Sequence, residues 1–246
     1  MEKLTNYDET RYSRQMLIHD WGEQGQMRLK QSSVFIAGAG GLGSPVSIYL
    51  AVAGVGEIKI CDADTIELSN LNRQILHPDD RIGQSKADSA EKTLKALNPS
   101  INIVTYTDHL DENNIDRIVG QPNIIVDCLD NYETRYLLNV YCLKHSIPFV
   151  HGAIWGMMGQ TTFICPPETP CLRCLVPTPP AKEIFPVVGV TPGLIGSIQA
   201  MEVLKFLTGV GALLKNRLLI VDGEEMTFIP VAIERTPSCP DCGGLI

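Results

Sequence analysis

Several features are missing from this 246-residue sequence, and each absence excludes a class of protein. No apolar run reaches the roughly 20 residues that a membrane-spanning helix needs, so we expect no membrane partner. Met1 to Tyr7 are polar and no apolar core follows them, so we expect no signal peptide and a cytoplasmic protein. A basic excess is also missing, since the formal net charge is −8. That charge argues against a nucleic-acid partner, because phosphate binding needs a basic face.

The composition that remains is that of a folded enzyme-sized domain. Apolar residues make up 44% of the chain and charged residues 20%, which supports a full core and argues against disorder over most of the length. The length suits one large α/β domain.

A glycine-rich turn follows the first predicted buried strand. The turn is Gly38-Ala39-Gly40-Gly41-Leu42-Gly43, which satisfies G-x-G-x-x-G at Gly38, Gly40 and Gly43. It presents backbone N–H groups and a helix N-terminus to a phosphate. Asp62 ends the next strand, 24 residues after Gly38, where a carboxylate can hold ribose hydroxyls. Alone, this pattern indicates a dinucleotide site of an NAD-dependent oxidoreductase.

Two cations change that interpretation. The segment Ser69-Asn70-Leu71-Asn72-Arg73-Gln74 follows the ribose strand, and Lys86 opens a helix predicted over 85–97. An arginine and a lysine beside the turn can neutralise the β- and γ-phosphates and a pyrophosphate leaving group. The pair therefore favours a triphosphate over a nicotinamide, with solvated surface charge as the alternative.

A carboxylate follows the strand predicted over 124–129. Asp130-Asn131 stand at its C-terminal end, and such a position points into the ligand crevice of a parallel sheet. Asp130 could hold Mg²⁺ against the phosphates there. One of the two residues could also cap the helix predicted over 132–145, and both roles are compatible.

Alternating strand and helix patterns predict the fold class, an α/β, Rossmann-like, mainly parallel sheet flanked by helices and continued by antiparallel strands. One or two amphipathic helices over 11–30 precede the sheet, with Arg11 and Arg14 at their start. The prolines after 174 predict an extended loop. In a helix over 191–208, Gly193 and Gly196 would allow close packing. The remaining predicted elements are strands over 101–106, 149–154, 160–165, 217–221 and 226–229 and a helix over 111–119.

The eight cysteines divide into two groups. Cys61, Cys128, Cys142 and Cys165 stand singly in apolar stretches, as small buried hydrophobes do. The others form two C-x-x-C knuckles, and four sulfurs without a nearby histidine predict a closed structural Zn²⁺ site. The knuckle residues are Cys171, Cys174, Cys239 and Cys242.

Together these motifs resemble the MoeB/ThiF/HesA family, the prokaryotic relatives of ubiquitin-activating enzymes. The resemblance spans residues 8–244 and adds Arg11-Tyr12-Ser13-Arg14-Gln15 and Asp62-Ala63-Asp64 to the motifs above. It implies a single ThiF-type adenylation domain over 1–246. That domain would comprise N-terminal helices (1–30), nucleotide-binding βα units (31–150) and an acceptor-binding and zinc part (151–246).

The resemblance also implies a reaction, in which a carboxylate attacks the α-phosphorus of Mg·ATP to give an acyl-adenylate and pyrophosphate. Gly41 would lie at the phosphate turn, Asp62 at the ribose and Asp130 at Mg²⁺, while Arg14 would reach the ATP of the neighbouring subunit in a homodimer. The residues matched to phosphate contacts are Asn70, Arg73 and Lys86. Those matched to the surrounding nucleotide site are Gly38, Gly40, Gly43, Asp64, Ser69, Gln74 and Asn131.

The chain departs from many relatives at one point. They carry a cysteine after the first knuckle that takes the acyl group or forms a persulfide, whereas no cysteine lies between Cys174 and Cys239. We therefore expect the reaction to stop at the adenylate. The leading hypothesis is adenylation of a ubiquitin-like sulfur carrier in molybdopterin or thiamin synthesis. The alternative acceptor is a peptide or small-molecule carboxylate, such as the pyridinol precursor of the iron-hydrogenase cofactor.

Overall fold

The computed structural model describes residues 3–181 and 186–244. Its helices are α1 (Asn6–Arg11), α2 (Gly22–Lys30), α3 (Gly43–Ala53), α4 (Lys86–Leu97), α5 (Ile115–Val119), α6 (Tyr132–His145), α7 (Leu172–Leu175) and α8 (Val190–Thr208). Its strands are β1 (Ser33–Ala37), β2 (Glu57–Cys61), β3 (Asn102–Tyr106), β4 (Ile124–Asp127), β5 (Phe149–Trp155), β6 (Met158–Ile164), β7 (Arg217–Asp222) and β8 (Thr227–Ala232). Short 3₁₀ turns add Gln15–Leu17, Leu68–Asn70 and Asp79–Arg81.

All eight strands form one sheet in the order β3-β2-β1-β4-β5-β6-β7-β8. The strands from β3 to β5 pair in parallel, and those from β5 to β8 pair antiparallel. This confirms the predicted parallel sheet with an antiparallel extension. The strand order reverses at β1 and β4, where the carboxyl ends of parallel strands open a ligand crevice.

Both faces of the parallel strands are buried, as the continuous apolar runs require. Val34 and Ile36 contribute to one hydrophobic cluster, whereas Phe35 and Ala37 contribute to another on the opposite face. Alternate residues of a strand point to opposite faces. The sheet therefore separates two cores, and the crevice at its carboxyl edge is built on a rigid support.

The segment Gly54-Val55-Gly56 predicts that the helix after the glycine turn stops near Ala53, and α3 confirms this. It ends at Gly54, whose left-handed φ of 87° suits a glycine at a helix C-cap. Its N-terminal end is covered by α8, and a Cβ on Gly196 would lie 2.5 Å from Pro45 Cγ. Gly196 therefore allows the predicted close packing. The same prediction for Gly193 is wrong, because a Cβ there would meet no atom within 4 Å.

Several element boundaries differ from the sequence prediction. The segment predicted as one or two helices over 11–30 contains a 3₁₀ turn and α2, whereas α1 lies before it and shares only Arg11 with it. The helix predicted over 111–119 begins only at Ile115, because Asn114 and Asp111 form a hydrogen-bonded turn before it. The strand predicted over 124–129 ends at Asp127. The loop predicted after 174 contains no helix or strand at 176–181, and its residues 182–185 lie outside the described part.

Within the described residues, the search for a membrane-spanning segment found no helix with the required length and apolarity.

Candidate active site and four-cysteine cluster

The glycine turn has a backbone that tolerates no side chain at two of its positions. Gly38 has φ of +98°, and a Cβ there would lie 2.6 Å from the carbonyl oxygen of Cys128. A Cβ on Gly43 would lie 2.0 Å from the carbonyl oxygen of Gly38. The turn is therefore tight and lies directly against the end of β4, with the N-terminus of α3 available to an anion.

Two side chains hold the Ala39 residue of this turn from opposite sides. The Asp62 carboxylate accepts a hydrogen bond from Ala39 N at 2.7 Å. His77 Nε2 lies 2.8 Å from the Ala39 carbonyl oxygen, which can only accept, so this nitrogen carries the proton. Burial lowers the pKa of His77, and the neutral ring thus braces the turn without adding positive charge. His77 was not predicted as a site residue.

Lys86 is connected to Asp62 through Asp64. Its Nζ lies 2.8 Å from Asp64 Oδ2, and its side chain is 8% exposed. Asp64 N in turn donates to Asp62 Oδ1 at 2.9 Å. Burial raises the pKa of Asp62, and the charge of Lys86 acts in the opposite direction. The structure therefore brings three predicted site residues together behind the glycine turn.

The segment from Ser69 to Gln74 lies on the other side of the turn. A Cβ on Gly40 would be 3.6 Å from Gln74 Nε2, and one on Gly41 would be 3.6 Å from Arg73 Cγ. The exposed Arg73 guanidinium is held by the Ser69 carbonyl and Asn72 Oδ1, both at 2.9 Å.

The interior of that segment is fixed by polar contacts. Asn70 is buried and accepts from Glu67 N through Oδ1 at 3.2 Å, while the Ser69 hydroxyl donates to Glu67 Oε2 at 3.2 Å. Gln74 Oε1 is buried and has no hydrogen-bond partner among the described residues. An unsatisfied buried acceptor beside the turn marks a place for a polar ligand atom or water.

The end of the proline-rich loop, at Gly189, packs against the backbone of Asn72 and Arg73. A Cβ on Gly189 would lie 2.3 Å from the Asn72 carbonyl oxygen, and Pro192 would lie 3.2 Å from a Cβ on Gly41. The end of the loop and the start of α8 therefore pack on the phosphate turn itself.

Asp130 and Asn131 have separate roles in the structure. Asn131 caps α6, because its Oδ1 accepts from Thr134 N at 2.9 Å. Asp130 is exposed, and its carboxylate makes no hydrogen bond or ion pair with any described residue. A free carboxylate at the carboxyl edge of β4, next to the turn, fits a hard divalent cation such as Mg²⁺.

A buried ionic cluster beneath Asp130 was missed by the sequence analysis. The guanidinium of Arg135 lies 3.2 Å from Asp127 Oδ2, and His151 Nδ1 lies 2.7 Å from the same oxygen. Burial acts to raise the pKa of Asp127, but the charge of Arg135 and the His151 hydrogen bond outweigh it and lower that pKa. Burial lowers the pKa of His151, so a neutral ring donates to the carboxylate. Polar residues inside two apolar strands were the available signal.

Arg14 lies far from the glycine turn of its own chain. The adjacent Gln15 donates to the Ala53 carbonyl oxygen at 2.8 Å, and Ala53 ends α3, whose first residue belongs to the turn. The 11 residues of α3 separate the two ends by about 16 Å. Arg14 is exposed and makes no hydrogen bond or ion pair with the described residues.

The two knuckles meet in one four-cysteine cluster. All four Sγ atoms of Cys171, Cys174, Cys239 and Cys242 lie within 4.8 Å of one another. The Cys171–Cys239 and Cys174–Cys242 sulfur pairs are 3.6 and 3.4 Å apart. Tetrahedral zinc with bonds of about 2.3 Å needs sulfurs about 3.8 Å apart. The donor set and its size therefore fit Zn²⁺.

Side chains between the ligands connect the two knuckles to each other and to α6. Arg173 Nε lies 3.4 Å from Asp241 Oδ2, so an ion pair spans the pair of knuckles. Asn139 of α6 donates to Asp241 Oδ2 at 2.8 Å and accepts from Leu172 N at 2.9 Å. Such outer partners orient the ligand-bearing backbone.

The single cysteines lack the surroundings of a reactive thiolate. Burial raises the pKa of Cys61 to about 12 and raises the pKa of Cys128, Cys142 and Cys165 as well. A thiol with a raised pKa stays protonated at neutral pH and is a poor nucleophile.

Gly43→Ala is expected to weaken ATP binding strongly, because the new methyl group would lie 2.0 Å from the Gly38 carbonyl oxygen and would force the turn open. Gly193→Ala in α8 is the matched control, since its methyl group meets nothing within 4 Å. The control should leave ATP binding unchanged and stabilise the helix by roughly 0.5–1 kcal/mol. Calorimetric titration with ATP measures the difference, and equal affinities for the two variants would contradict the role of the turn.

The sheet with its crevice at β1 and β4, the glycine turn between cationic side chains and the four-cysteine cluster define a class, the E1-like adenylyltransferases. A family model described as the ThiF family matches residues 12–241. The chain therefore belongs to the ThiF family, as the motifs predicted.

Named relatives and solved structures agree with this assignment. The chain is 44% identical over 239 residues to the SAMP-activating enzyme E1 of Haloferax volcanii, covering 95% of this chain and 88% of that enzyme. It is 43% identical over 247 residues to the adenylyltransferase and sulfurtransferase MOCS3 of Drosophila sechellia, covering 98% of this chain. The chain spans about half (54%) of the length of that relative. The structure of E. coli MccB with ATP matches with a TM-score of 0.86 at 25% identity, covering 98% of this chain and 76% of MccB.

Proposed function

We propose that this protein is a cytoplasmic, ATP-dependent adenylyltransferase that activates the C-terminal carboxylate of a ubiquitin-like sulfur carrier. The observation that carries the proposal is the grouping of Arg73, Lys86 and the unpaired Asp130 carboxylate around one phosphate-binding turn. Cations together with a carboxylate suit Mg·ATP, whereas an apolar pocket would suit nicotinamide. The named relatives that activate or adenylate support the same reading.

In the proposed reaction, a carboxylate oxygen attacks the α-phosphorus of ATP. The bond from that phosphorus to the bridging oxygen breaks, and pyrophosphate leaves with the electron pair. Asn70, Arg73 and Lys86 contact phosphates, Asp62 holds the ribose and Asp130 holds Mg²⁺, which supplies Lewis-acid stabilisation of phosphate charge. No proton needs to be removed from an ionised carboxylate, so alignment and charge neutralisation supply most of the rate.

The proposal includes a homodimer with two composite sites. Arg14 is at the end of α3 opposite the glycine turn, so it completes an ATP site only if a second copy presents it. Its lack of hydrogen bonds within the described chain agrees with this role. The proposed single domain, with helices at 1–30, nucleotide units at 31–150 and the acceptor and zinc part at 151–246, puts the dimer contact in the first of these parts.

The proposed reaction stops at the adenylate. No cysteine lies between Cys174 and Cys239, and burial raises the pKa of each single cysteine elsewhere. An acyl thioester on this chain therefore lacks a suitable nucleophile. The adenylate would pass directly to a sulfur donor or another enzyme.

A second candidate keeps the chemistry and changes the acceptor to a peptide or a small-molecule carboxylate. Structures of E. coli MccB with ATP and with MccA match this fold with TM-scores of 0.86 and 0.85. The sequence-based hypothesis of a pyridinol carboxylate belongs to the same class of acceptor. The cysteine-free loop is compatible with either kind.

Acceptor-dependent exchange between ATP and labelled pyrophosphate tests the proposal. We expect exchange with a ubiquitin-like carrier that ends in Gly-Gly and none with the same carrier whose terminal carboxylate is amidated. Exchange driven only by a peptide or a small carboxylate would favour the second candidate. NADH binding without ATP binding would contradict both and favour an oxidoreductase.

A further inference from the structure

The buried cluster of Asp127, Arg135 and His151 has no role in the proposed reaction so far. Its side chains are between 0 and 5% exposed, so none of them can touch a nucleotide. Asp127 nevertheless lies only three residues before Asp130 in the chain, and Arg135 only five after it. What it contacts decides what it can do.

The cluster fixes the backbone of Leu129 at both of its polar atoms. Leu129 N donates to Asp127 Oδ1 at 3.0 Å, and the Leu129 carbonyl oxygen accepts from Arg135 Nη2 at 2.5 Å. That carbonyl belongs to the peptide bond that leads into Asp130. Arg135 therefore holds the plane of this peptide, which contains the Asp130 Cα atom, while Asp127 holds the preceding peptide through Leu129 N.

The remaining contacts attach this backbone to β5 and α8. Arg135 Nη2 also donates to the Gly152 carbonyl oxygen of β5 at 2.9 Å, and Gln199 of α8 donates to the Asp127 carbonyl oxygen at 2.8 Å. His151 Nδ1, on β5, donates to Asp127 Oδ2, while Asp127 Oδ1 accepts from Leu129 N and from Arg135 Nε. With the Asn131 cap on the far side, Asp130 is the exposed residue between two fixed neighbours.

A contribution to the free energy of folding does not by itself explain why the chain buries this cluster. Desolvating an ion pair costs several kcal/mol, and well-packed apolar residues can replace buried ion pairs at little cost. Outer partners of metal-binding side chains, in contrast, have a direct effect on metal affinity.

We propose that Asp127, Arg135 and His151 are positioning residues that aim the Asp130 carboxylate at the magnesium of bound Mg·ATP. This inference rests on the proposed function, which assigns Asp130 to magnesium. It adds three residues that act through the Leu129 backbone and never contact the nucleotide.

The test measures ATP binding by calorimetry as Mg²⁺ is varied, so no acceptor or catalysis is needed. In Arg135→Gln and His151→Ala, the Mg²⁺ concentration that gives half of the magnesium-dependent gain in ATP affinity should rise by about tenfold or more. Their affinity for ATP in EDTA should stay within about twofold of wild type. His151→Asn should return most of the magnesium response, because its amide nitrogen can take the place of Nδ1 and donate to Asp127.

Ile118→Ala is the control for lost stability alone. Ile118 is fully buried in α5, and its truncation leaves a cavity in the core. It should lower the melting temperature without changing the magnesium response. If Arg135→Gln fails to fold, the comparison of His151→Ala with His151→Asn decides.

The outcomes separate the two proposals. If Mg²⁺ raises the ATP affinity of the wild-type protein and of the variants at the same concentrations, the positioning role alone is overturned. A wild-type protein whose ATP affinity ignores Mg²⁺ would overturn the assignment of Asp130 and the positioning role together. Failure of every acceptor in the exchange assay, with an intact magnesium response, would overturn only the adenylation reaction.

Discussion

Asp130→Ala is expected to lower acceptor-dependent ATP–pyrophosphate exchange by about 10²–10³-fold, the range for losing one group that stabilises transition-state charge. The carboxylate is exposed and makes no hydrogen bond with the described residues, so its removal breaks no structural contact. The free energy of unfolding should therefore change by no more than about 0.5 kcal/mol. Arg73→Ala should give a similar loss of exchange at little cost in stability, since among the described residues its guanidinium hydrogen-bonds only to Ser69 and Asn72 of the same segment.

The exchange measurement has matched controls at two other exposed positions. Asp80→Ala removes an exposed carboxylate from the 3₁₀ turn Asp79–Arg81, and Arg117→Ala removes an exposed guanidinium that pairs with Asp108. Both controls should retain exchange. Unchanged exchange in Asp130→Ala and Arg73→Ala would refute the assignment of the site, whatever the controls do.

Cys242→Ser is expected to abolish zinc binding and to lower the free energy of unfolding by more than about 4 kcal/mol, the range that marks loss of a metal or a buried network. Cys242 is buried, with its sulfur 3.4 Å from that of Cys174. Without the metal, the knuckle at 239–242 loses its covalent connection to the knuckle at 171–174. Zinc is measured by atomic emission and stability by urea unfolding.

Cys165→Ser is the matched control, because this cysteine is half-buried and lies outside the cluster. The control and the wild-type protein should both carry about one zinc per chain. Less than about half an equivalent in wild-type protein prepared without chelator would contradict the structural-zinc prediction.

Sequence patterns were informative wherever the physics is local. The glycine turn, the Asn131 cap and the two C-x-x-C knuckles each depend on residues a few positions apart. The ends of α3 and α6 followed from Gly54 and from the apolar pattern before His145. These features set the sheet, the phosphate turn and the cysteine cluster before any long-range contact is known.

Long-range features were beyond the same reasoning. Asp127 meets His151 only because β4 and β5 are neighbours in the sheet, and it meets Arg135 only because α6 places that side chain beside the end of β4. The mistake at Gly193 has a related cause. Helix α8 is apolar over most of its length, so its sequence does not distinguish the face that packs on α3. Both cases need the arrangement of whole elements, which no short window of sequence contains.

Helix α6 carries contacts to both predicted metal sites. Its cap follows Asp130, Arg135 in its second turn holds the Leu129 carbonyl, and Asn139, one turn further, touches both cysteine knuckles. The tightly bound zinc and the exchangeable magnesium of these predicted sites are thus connected through the same helix, α6. The activity of a zinc-poor preparation should then be proportional to the fraction of chains that carry zinc. Added magnesium should not restore the activity of the zinc-free chains.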